Sequence, residues 1–330
     1  MPRAPKTLAI DENERFLARV AWAYHVEGLT QGAVAERLGV TRLRVNKALS
    51  EARRKGLVRI SLNTHFAPCI EMEEALKARY GLREAAIAPS PERVEDTQTV
   101  VGIALGHLLS VVLADPALTQ FGMSWGNTLN IATRHVDPLD RPDLEILSVM
   151  GGTTRGSDIS SFEITTRLAD LCNAHHSFFP APLYAGTRAS RDTIVGQAVF
   201  TDILERIRKV DALAMAVGDM SERSLLMRDA LPPDVTVEAL LAAGAVGDVL
   251  GTVLDASGHP IDHPINERLI GIDFTDLAAI PNVILAAGGA HKVPIIRAVL
   301  SRGLVDTFVS DEATARALLE PVSSPALEPV

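Results

Sequence analysis

The chain has 330 residues, enough for one large domain and a smaller one, and its formal net charge is -9. The charge is segregated, because residues 1–63 contain 12 Lys and Arg against 6 Asp and Glu, whereas the remainder contains 20 against 35. A basic segment is typical of a surface that meets phosphate, and an acidic remainder gives solubility and repels nucleic acid. We therefore expect two domains, spanning residues 1–63 and 64–330.

The cysteine content and the hydropathy pattern bound the class of protein further. Cys69 and Cys172 have no partner at redox or metal-ligand spacing, which argues against a disulfide framework and suits a reducing cytoplasm. The first 20 residues contain charged side chains and no long apolar core, so they do not resemble a signal peptide. No apolar run in the sequence is expected to reach the roughly 18 residues that a membrane helix needs. We expect a soluble, cytoplasmic protein that does not contact a membrane.

The first predicted elements are three helices. Apolar residues recur at helical spacing over residues 13–26, and Thr30 then follows as the N-cap of a second helix that ends at Gly39. Thr41 caps a third helix over residues 42–55. Two helices joined by a tight glycine turn are typical of a helix-turn-helix, whose second helix enters the DNA major groove.

The third helix separates its cations from its inward residues, Val45, Leu49 and Ala52. Arginine can pair bidentately with guanine and asparagine with adenine, and cations further along suit phosphate contact. The predicted DNA-binding residues are Thr30, Gln31, Thr41, Arg42, Arg44, Asn46, Lys47, Arg53 and Arg54. The alternative is a basic, solvent-facing helix in a small bundle. Residues 56–63 are predicted to form a short strand that closes the module.

Beyond residue 63, strand-like and helix-like runs alternate. Strands are predicted over residues 84–89, 118–123, 144–150, 176–181, 211–218, 282–289 and 306–311. Helices are predicted over residues 69–80, 96–113, 161–173, 192–210 and 292–301. Alternation of this kind predicts an α/β domain with a doubly wound, mostly parallel sheet that is covered by helices on both faces.

Three polar, glycine-containing loops follow predicted strands, over residues 124–128, 151–154 and 288–292. Ligands of such sheets bind beyond the carboxyl ends of the strands, so these loops favour a site for a phosphorylated or polyhydroxylated small molecule. Each loop alone is weak evidence, since turns between strands and helices use glycine for conformational reasons. The chain lacks the P-loop and dinucleotide fingerprints, so neither ATP nor NAD is favoured and no cofactor is expected.

At the level of longer motifs, the chain resembles the SorC-type, or deoxyribonucleoside-regulator-like, sugar-binding transcriptional regulators of bacteria. The residues that carry the resemblance are "LTQGAVAERLGVTRLRVNKALSEARRKGLVRI", "FGMSWGNTL", "FFPAPLYA", "AAGAVGDVLGTVLDASGHPID", "RLIGID" and "AAGGAHKVPIIRAVLSRGLVDTFVSDEATARALL". The resemblance covers nearly the whole chain. It implies a DNA-binding repressor or activator of a carbohydrate operon, with an effector domain of the phosphosugar-isomerase type, assembled as a dimer or tetramer on double-stranded operator DNA.

The resemblance also implies which residues bind the effector, a sugar, polyol or sugar phosphate. These are Ser124, Gly126, Asn127, Thr128, Gly152, Thr153, Ser160, Arg228, Asp248 and Lys292, and Asp219, which departs from the family pattern, is a further candidate. Two features depart from the family pattern: Val217, Gly218 and Asp219 replace a Gly-Ile-Gly sequence, and His291 precedes the ligand cation. An extra carboxylate and an imidazole put a phosphate at this site in doubt. The overall resemblance leans toward regulators of polyol catabolism, such as the erythritol type.

Two other functional classes remain open from the residues alone. A sugar-phosphate isomerase would need a general base near the substrate carbonyl, and Asp219, Asp248 or His291 could supply it, but an isomerase has no use for a helix-turn-helix. A metal-responsive regulator is suggested by "HPIDH" at residues 259–263 and by the histidine pair at 175–176. The prolines make the first segment a turn, so no metal site is expected.

The expected mechanism is ligand-linked DNA binding. An effector that binds the DNA-free arrangement more tightly must weaken operator affinity by the same factor, typically about 5- to 150-fold. The helix at residues 69–80 and the subunit contacts are the expected path between the two sites, because they set the spacing of the recognition helices.

Overall fold

A computed structural model of the chain describes residues 12–58, 67–152 and 160–321. The chain divides into two compact units, Met1–Thr64 and His65–Val330. Each unit has its own hydrophobic core among the described residues.

In the described part of the first unit, the chain forms α1 (Glu12–His25), α2 (Gln31–Leu38) and α3 (Arg42–Arg54). Gly39 ends α2 in the left-handed region, with φ 62°, which permits the tight turn into α3. Buried Leu17, Val34 and Leu49 meet where the three helices pack. The three predicted helices are therefore present. Residues 56–58 do not form the predicted strand, and residues 59–63 lie outside the described residues.

The described part of the second unit contains β-strands that alternate with helices along the chain. They are β1 (Glu84–Ala88), β2 (Gln120–Met123), β3 (Glu145–Ser148), β4 (His175–Ser177), β5 (Ala212–Met215), β6 (Val217–Asp219), β7 (Ala245–Val249), β8 (Thr252–Asp255), β9 (Val283–Ala286) and β10 (Thr307–Asp311). Seven of these form one sheet in the order β1-β10-β9-β5-β2-β3-β4, and every pairing is parallel. Each of the seven predicted strands overlaps a strand of this sheet.

Helices cover both faces of the parallel sheet. They are α4 (Ala67–Tyr80), α5 (Thr97–Leu113), α6 (Asn127–Ala132), α7 (Ser161–Cys172), α8 (Arg188–Val195), α9 (Ala198–Ile207), α10 (Val237–Ala242), α11 (Pro264–Glu267), α12 (Val293–Ser301) and α13 (Glu312–Leu319). Successive residues of β5 enter opposite cores, because Ala212 and Ala214 pack with one cluster whereas Leu213 and Met215 pack with the other. A strand that is buried on both faces has a continuous run of apolar residues, as β5 does. Helices on both faces of a parallel sheet confirm the predicted doubly wound α/β fold.

The structure divides two predicted elements of the second unit, and the strand predicted over residues 176–181 is only β4, His175–Ser177. The strand predicted over residues 211–218 is divided into β5 and β6, and β6 joins an antiparallel sheet of order β6-β7-β8 that the prediction lacked. The helix predicted over residues 192–210 is two helices, α8 and α9, because Gly196 caps the first and Gln197 is extended.

One helix is more apolar than the sequence inspection indicated. Val94–Leu113 is long enough and apolar enough to cross a membrane by length and composition. In the structure Leu105 and Leu109 of this segment are fully buried in the core beneath β1 and β10. The expectation that no apolar run reaches membrane length was therefore wrong, and the segment is a helix of the hydrophobic core.

Candidate functional site

The side of α3 that faces away from the core is basic and exposed. Val45 and Leu49 are buried against α1 and α2, and the predicted contact residues on the opposite side face solvent. These are Arg42, Arg44, Asn46, Lys47, Arg53 and Arg54. A shallow groove of about 350 Å³ runs along this face and is lined by Leu43, Asn46, Lys47, Ser50, Glu51 and Arg54. The face combines side chains that can read bases with cations that can meet phosphate.

Local contacts orient the start of this surface. The Thr30 hydroxyl accepts a hydrogen bond from the Ala33 amide at 3.2 Å, and the Thr41 hydroxyl accepts one from the Arg44 amide at 3.3 Å. Both threonines that were predicted to contact DNA therefore act as N-caps. Gln31 is the first residue of α2. The Arg44 guanidinium carbon lies 4.9 Å from the ring centroid of Phe16 in α1, which holds this arginine at the edge of the face.

A cavity of about 310 Å³ lies at the carboxyl ends of β2, β5 and β9. It brings together seven of the predicted effector residues, namely Ser124, Gly126, Asn127, Thr128, Arg228, Asp248 and Lys292. The rest of its lining includes five residues that the sequence did not single out, namely Gln98, Trp125, Arg223, Ser224 and Leu250. The position agrees with the rule that ligands of open parallel sheets bind beyond the carboxyl ends of the strands. We name this the effector cavity.

The loop after β2 forms one wall of the effector cavity. Gly126 has φ 140°, a conformation that side chains rarely adopt, and it directly precedes α6. The Asn127 side-chain amide donates to Gln98 Oε1 of α5 at 2.9 Å, while Ser124 and Thr128 are almost fully buried. The loop therefore presents hydroxyls and an oriented amide side chain on a rigid backbone, which suits hydrogen bonding to a small polar ligand.

The opposite wall contains a buried group of charges. Lys292 is buried at the end of the β9 loop, and Asp219 and Asp248 are buried on β6 and β7. Burial raises the pKa of Asp248 to about 7, although the Gly251 amide and the positive charge of Lys292 act in the opposite direction. Burial also lowers the pKa of Lys292, against the attraction of both carboxylates. Burial and the neighbouring charges therefore act together on Asp248 and Lys292.

The antiparallel sheet places Gly218 directly opposite Asp248. A Cβ atom at Gly218 would overlap Asp248 Oδ1 and would lie only 2.6 Å from Ser224 Oγ. Among the described residues, neither of these two buried oxygens has a hydrogen-bond partner, and the same holds for Asp219 Oδ1. Buried polar atoms normally have partners, so the two unpartnered oxygens of the cavity lining, with that of Asp219 beside them, indicate a ligand-binding surface.

A tight turn between β7 and β8 supports this end of the cavity. Leu250 and Gly251 have φ 53° and 82°, and Leu250 is a buried residue of the cavity wall. A left-handed leucine is unusual and needs support from its surroundings. The Gly251 amide hydrogen-bonds the Asp248 carboxylate, and the Tyr184 hydroxyl donates to the Gly251 carbonyl. The turn thus links Tyr184 to the acidic side of the cavity.

The remaining predicted effector residues lie elsewhere. Gly152 borders a different cavity, together with Tyr184 and Arg268, and the Ser160 hydroxyl caps α7 by accepting the Phe162 amide at 3.2 Å. Asp219 lies next to the effector cavity without lining it. Thr153 lies outside the described residues. Of the three loops predicted to converge, the loops after β2 and β9 meet in the effector cavity, whereas the described part of the middle loop does not.

The histidines considered as metal ligands make other contacts. His259 lies 2.9 Å from the Ser257 hydroxyl and 2.7 Å from an Arg302 nitrogen, and His263 accepts the Ile265 amide at 3.2 Å as the cap of α11. In the part of the chain that the structure describes, no three His, Cys, Asp or Glu side chains are grouped so that they could hold a metal ion.

The comparisons with known proteins agree with this arrangement. The family model described as "Putative sugar-binding domain" matches residues 64–320. The transcriptional regulator LsrR of Enterobacter sp. (strain 638) is 29% identical over 316 residues, which cover 94% of this chain and 94% of that protein. The erythritol catabolism regulatory protein EryD of Brucella abortus (strain 2308) is 26% identical over 309 residues, which cover 94% of this chain and 98% of that protein.

A solved structure shares the fold. The full-length sorbitol operon regulator SorC from Klebsiella pneumoniae matches with a TM-score of 0.69 and 23% identity, covering 94% of this chain and 100% of that chain. The family model alone matches more than half of the chain. The chain therefore belongs to the sugar-binding domain family of SorC-type transcriptional regulators.

Proposed function

We propose that this chain represses a carbohydrate or polyol catabolic operon and that a sugar, polyol or sugar phosphate controls its affinity for operator DNA. Residues 1–63 bind the DNA, and residues 64–330 bind the effector and carry the oligomer contacts. The observation that supports the proposal most is the effector cavity, where Ser124, Thr128, Asp248 and Lys292 converge in a chain that also carries a helix-turn-helix.

The exposed face of α3 is the proposed DNA-reading surface. Arg44 and Asn46 lie near the N-terminal end of α3, where recognition helices contact base edges, and Arg53 and Arg54 lie in its last turn. The first pair is proposed to read sequence and the second to contact phosphate. Duplex DNA with two half-sites, bound by a homodimer or homotetramer, is the proposed partner.

The effector acts by linkage. If the effector binds the DNA-free arrangement more tightly, it weakens operator affinity by the same factor, about 5- to 150-fold for couplings of about 1 to 3 kcal/mol. Helix α4 (Ala67–Tyr80) is the first described element of the second unit and packs on α13 and β1. We propose that effector-dependent movement of this helix and of the subunit contacts changes the spacing of the recognition helices.

The protein is proposed to work in the cytoplasm and without catalysis. LsrR and EryD, which match over nearly their whole length, are named as regulators, and a binding protein needs buried carboxylates for hydroxyl recognition as much as an isomerase does. A chain that lacks residues 1–63 would keep any isomerase activity, so assays of that truncated form on sugar phosphates test the enzymatic alternative.

The direct test is operator binding by the full-length protein. DNA from the region upstream of its own gene is titrated with the protein, and the complex is then titrated with four- to six-carbon polyols, sugars and their phosphates. We expect tight, salt-dependent binding that one of these compounds weakens by at least fivefold. Specific binding that no compound changes would contradict the effector part of the proposal, and absence of specific binding would contradict the regulator.

A further inference from the structure

The exposed side of α3 contains one apolar side chain, that of Leu43, among residues 42–54. Leu43 is the second residue of α3, and its exposed fraction of 65% is larger than that of any other large apolar side chain in the described part of the first unit. At about 100° per residue, Leu43 points away from the fully buried Val45 and Ala52. Leu43 therefore lies at the middle of the exposed side of α3.

The neighbours of Leu43 are cationic or polar. Arg42 and Arg44 flank it in the chain, and Asn46 and Lys47 follow one turn later, all exposed to solvent. Leu43, Asn46 and Lys47 line the same shallow groove. A stable protein–protein interface buries about 800 Å² on each partner, which a single leucine among cations does not supply. Cations match a phosphate polymer, so DNA is the partner that fits this surface.

One base offers an apolar group to a side chain in the major groove. Thymine carries its 5-methyl group there, whereas the other groups on the base edges are hydrogen-bond donors and acceptors. A leucine side chain forms no hydrogen bonds, and removing its surface from water is favourable when it meets an apolar group. Leu43 lies at the N-terminal end of α3, where recognition helices contact base edges. Its chemistry and its position therefore fit a thymine.

Asn46 limits where this thymine lies. Residues three apart on a helix have Cβ atoms about 5 to 6 Å apart, and successive base pairs are separated by about 3.4 Å along the DNA axis. Leu43 and Asn46 are three residues apart in α3, so they reach the same base pair or base pairs at most about two steps apart. Asparagine pairs with adenine, so the two residues together read a short sequence that contains A·T pairs.

We propose that Leu43 determines operator specificity by packing against the 5-methyl group of a thymine, within about two base pairs of the adenine that Asn46 reads. The inference rests on the proposed function and adds the chemistry of the half-site. The Arg44 guanidinium lies over the Phe16 ring of α1, so Arg44 acts from the edge of the reading surface. Leu43 occupies its centre.

The test uses operator duplexes in which each thymine in turn is replaced by deoxyuridine, which removes the 5-methyl group and keeps the base pairing. The affinity of the full-length protein for each duplex is measured by fluorescence anisotropy. We expect one thymine in each half-site at which the replacement weakens binding by about threefold to fivefold, the effect of losing one buried methyl group. These comparisons use the unmodified protein, so they do not depend on any variant folding.

Leu43→Ala assigns the methyl contact to this residue. Leu43 is exposed and alanine favours the helix, so the variant should unfold at the temperature of the unmodified protein. It should bind the thymine operator about threefold to tenfold more weakly and distinguish thymine from uracil at the sensitive position by less than about 1.5-fold. Since no charge is removed, the dependence of affinity on salt concentration should be unchanged.

Val26→Ala is the matched control, because Val26 is 61% exposed and directly follows α1. This variant also loses an exposed apolar side chain of the first unit, but one that lies outside α3. It should keep both the operator affinity of the unmodified protein and its preference for thymine over uracil.

Equal losses on replacement of the thymine in Leu43→Ala and in the unmodified protein would overturn the contact. A sensitive thymine more than about two base pairs from the position at which Asn46→Ala relaxes the preference would also overturn it. If the unmodified protein binds its operator specifically and no replacement by deoxyuridine weakens binding, this inference fails and the proposed regulator stands. Absence of specific operator binding would count against both.

Discussion

The α3 surface and the effector cavity use cations in opposite settings. The arginines and Lys47 of α3 are exposed to solvent, where each charge is well hydrated and weakly coupled to its neighbours. Lys292 is buried, and the negative charges of Asp219 and Asp248 oppose the lowering of its pKa by burial. A surface that meets a phosphate polymer gains from many independent cations, whereas a cavity that selects one small molecule needs few groups held in one arrangement.

The largest expected effect follows from removing the buried cation. Lys292→Ala should weaken effector binding by about tenfold to a hundredfold, because it removes a buried cation from the cavity lining and a hydrogen bond to a charged group contributes about 1.5 to 3 kcal/mol. Operator affinity without effector should remain within about twofold, since α3 is unchanged. The measurement is operator release as a function of effector concentration.

Lys209→Ala is the matched control, because Lys209 is exposed after α9 and does not line the effector cavity. It should respond to the effector like the unmodified protein. Circular dichroism and thermal unfolding check that Lys292→Ala is folded. A folded Lys292→Ala protein with an unchanged response would remove the β9 loop from the effector site.

Substitutions on the α3 surface should have smaller effects on DNA affinity, and the effects should differ between base-reading and phosphate-contacting residues. Arg44→Ala and Asn46→Ala should each weaken binding to the specific operator by about 1 to 3 kcal/mol and relax the preference at one base position. Arg54→Ala should weaken all DNA sequences similarly and lower the dependence of affinity on salt concentration, because it removes a phosphate contact. The measurement is affinity for operator and unrelated DNA at several salt concentrations.

The two kinds of variant serve as controls for each other, since all three side chains are exposed on the same helix. Uniform losses at all three positions would contradict the division into base-reading and phosphate-contacting residues. Arg44 also lies over the Phe16 ring, so Arg44→Ala could lose stability as well as a DNA contact. The thermal unfolding of Arg44→Ala is therefore compared with that of Asn46→Ala.

The affinity of the cavity for the effector should depend on pH near neutrality. Burial raises the pKa of Asp248 to about 7, and an ionised carboxylate is the better acceptor for ligand hydroxyls. Effector affinity should therefore be about tenfold weaker at pH 6 than at pH 8. Stability changes in the opposite direction: because folding raises this pKa from its ordinary value of 3.8, the contribution of Asp248 to the free energy of unfolding is present below 3.8 and is lost as the pH rises through about 7.

Asp248→Asn identifies the titrating group. This variant should bind the effector more weakly, and its affinity should change by less than about twofold over the same pH range, since the amide does not titrate. The neighbouring groups Asp219, His291 and Lys292 remain in the variant. A pH dependence that persists in Asp248→Asn would assign it to one of them.

The fold was largely predictable from the sequence, and the exception has a physical reason. Each strand of the parallel sheet is a short apolar run bounded by turn residues, and buried parallel strands have this pattern. The antiparallel sheet was missed because its hairpin turns at Leu250 and Gly251. A Leu-Gly pair lacks the Asn or Asp that usually identifies such a turn, and the leucine is tolerated here because tertiary contacts hold it.

The site was predictable where a loop directly follows a strand of the parallel sheet. Ser124 and Lys292 were singled out because polar residues and glycines follow β2 and β9. Arg223 and Ser224 were missed, since only the antiparallel sheet brings the segment after β6 to the cavity, and Arg228 of that segment was expected only from the family resemblance. Gly218 lies directly opposite Asp248 in the pairing of β6 with β7. This pair could indicate a binding site only once the register of the two strands was known.

The smallest expected effect concerns the support of the cavity wall. Tyr184→Phe removes the hydroxyl that donates to the Gly251 carbonyl, so the turn that carries Leu250 and positions Asp248 is held less firmly. The loss of one such hydrogen bond, about 1 kcal/mol, should weaken effector binding about fivefold and leave operator affinity unchanged. The measurement is effector titration of the full-length protein.

Tyr80→Phe provides the matched control, because the Tyr80 hydroxyl also donates to a backbone carbonyl, that of Leu318, at 3.2 Å. Tyr80 does not line the effector cavity, so its variant should keep the effector affinity of the unmodified protein. Equal losses in both variants would indicate a general loss of stability, and no loss in Tyr184→Phe would show that the Leu250–Gly251 turn is rigid without the hydroxyl. A loss confined to Tyr184→Phe would establish that the acidic side of the cavity depends on contacts behind its wall, unlike the α3 surface, whose side chains act from solvent.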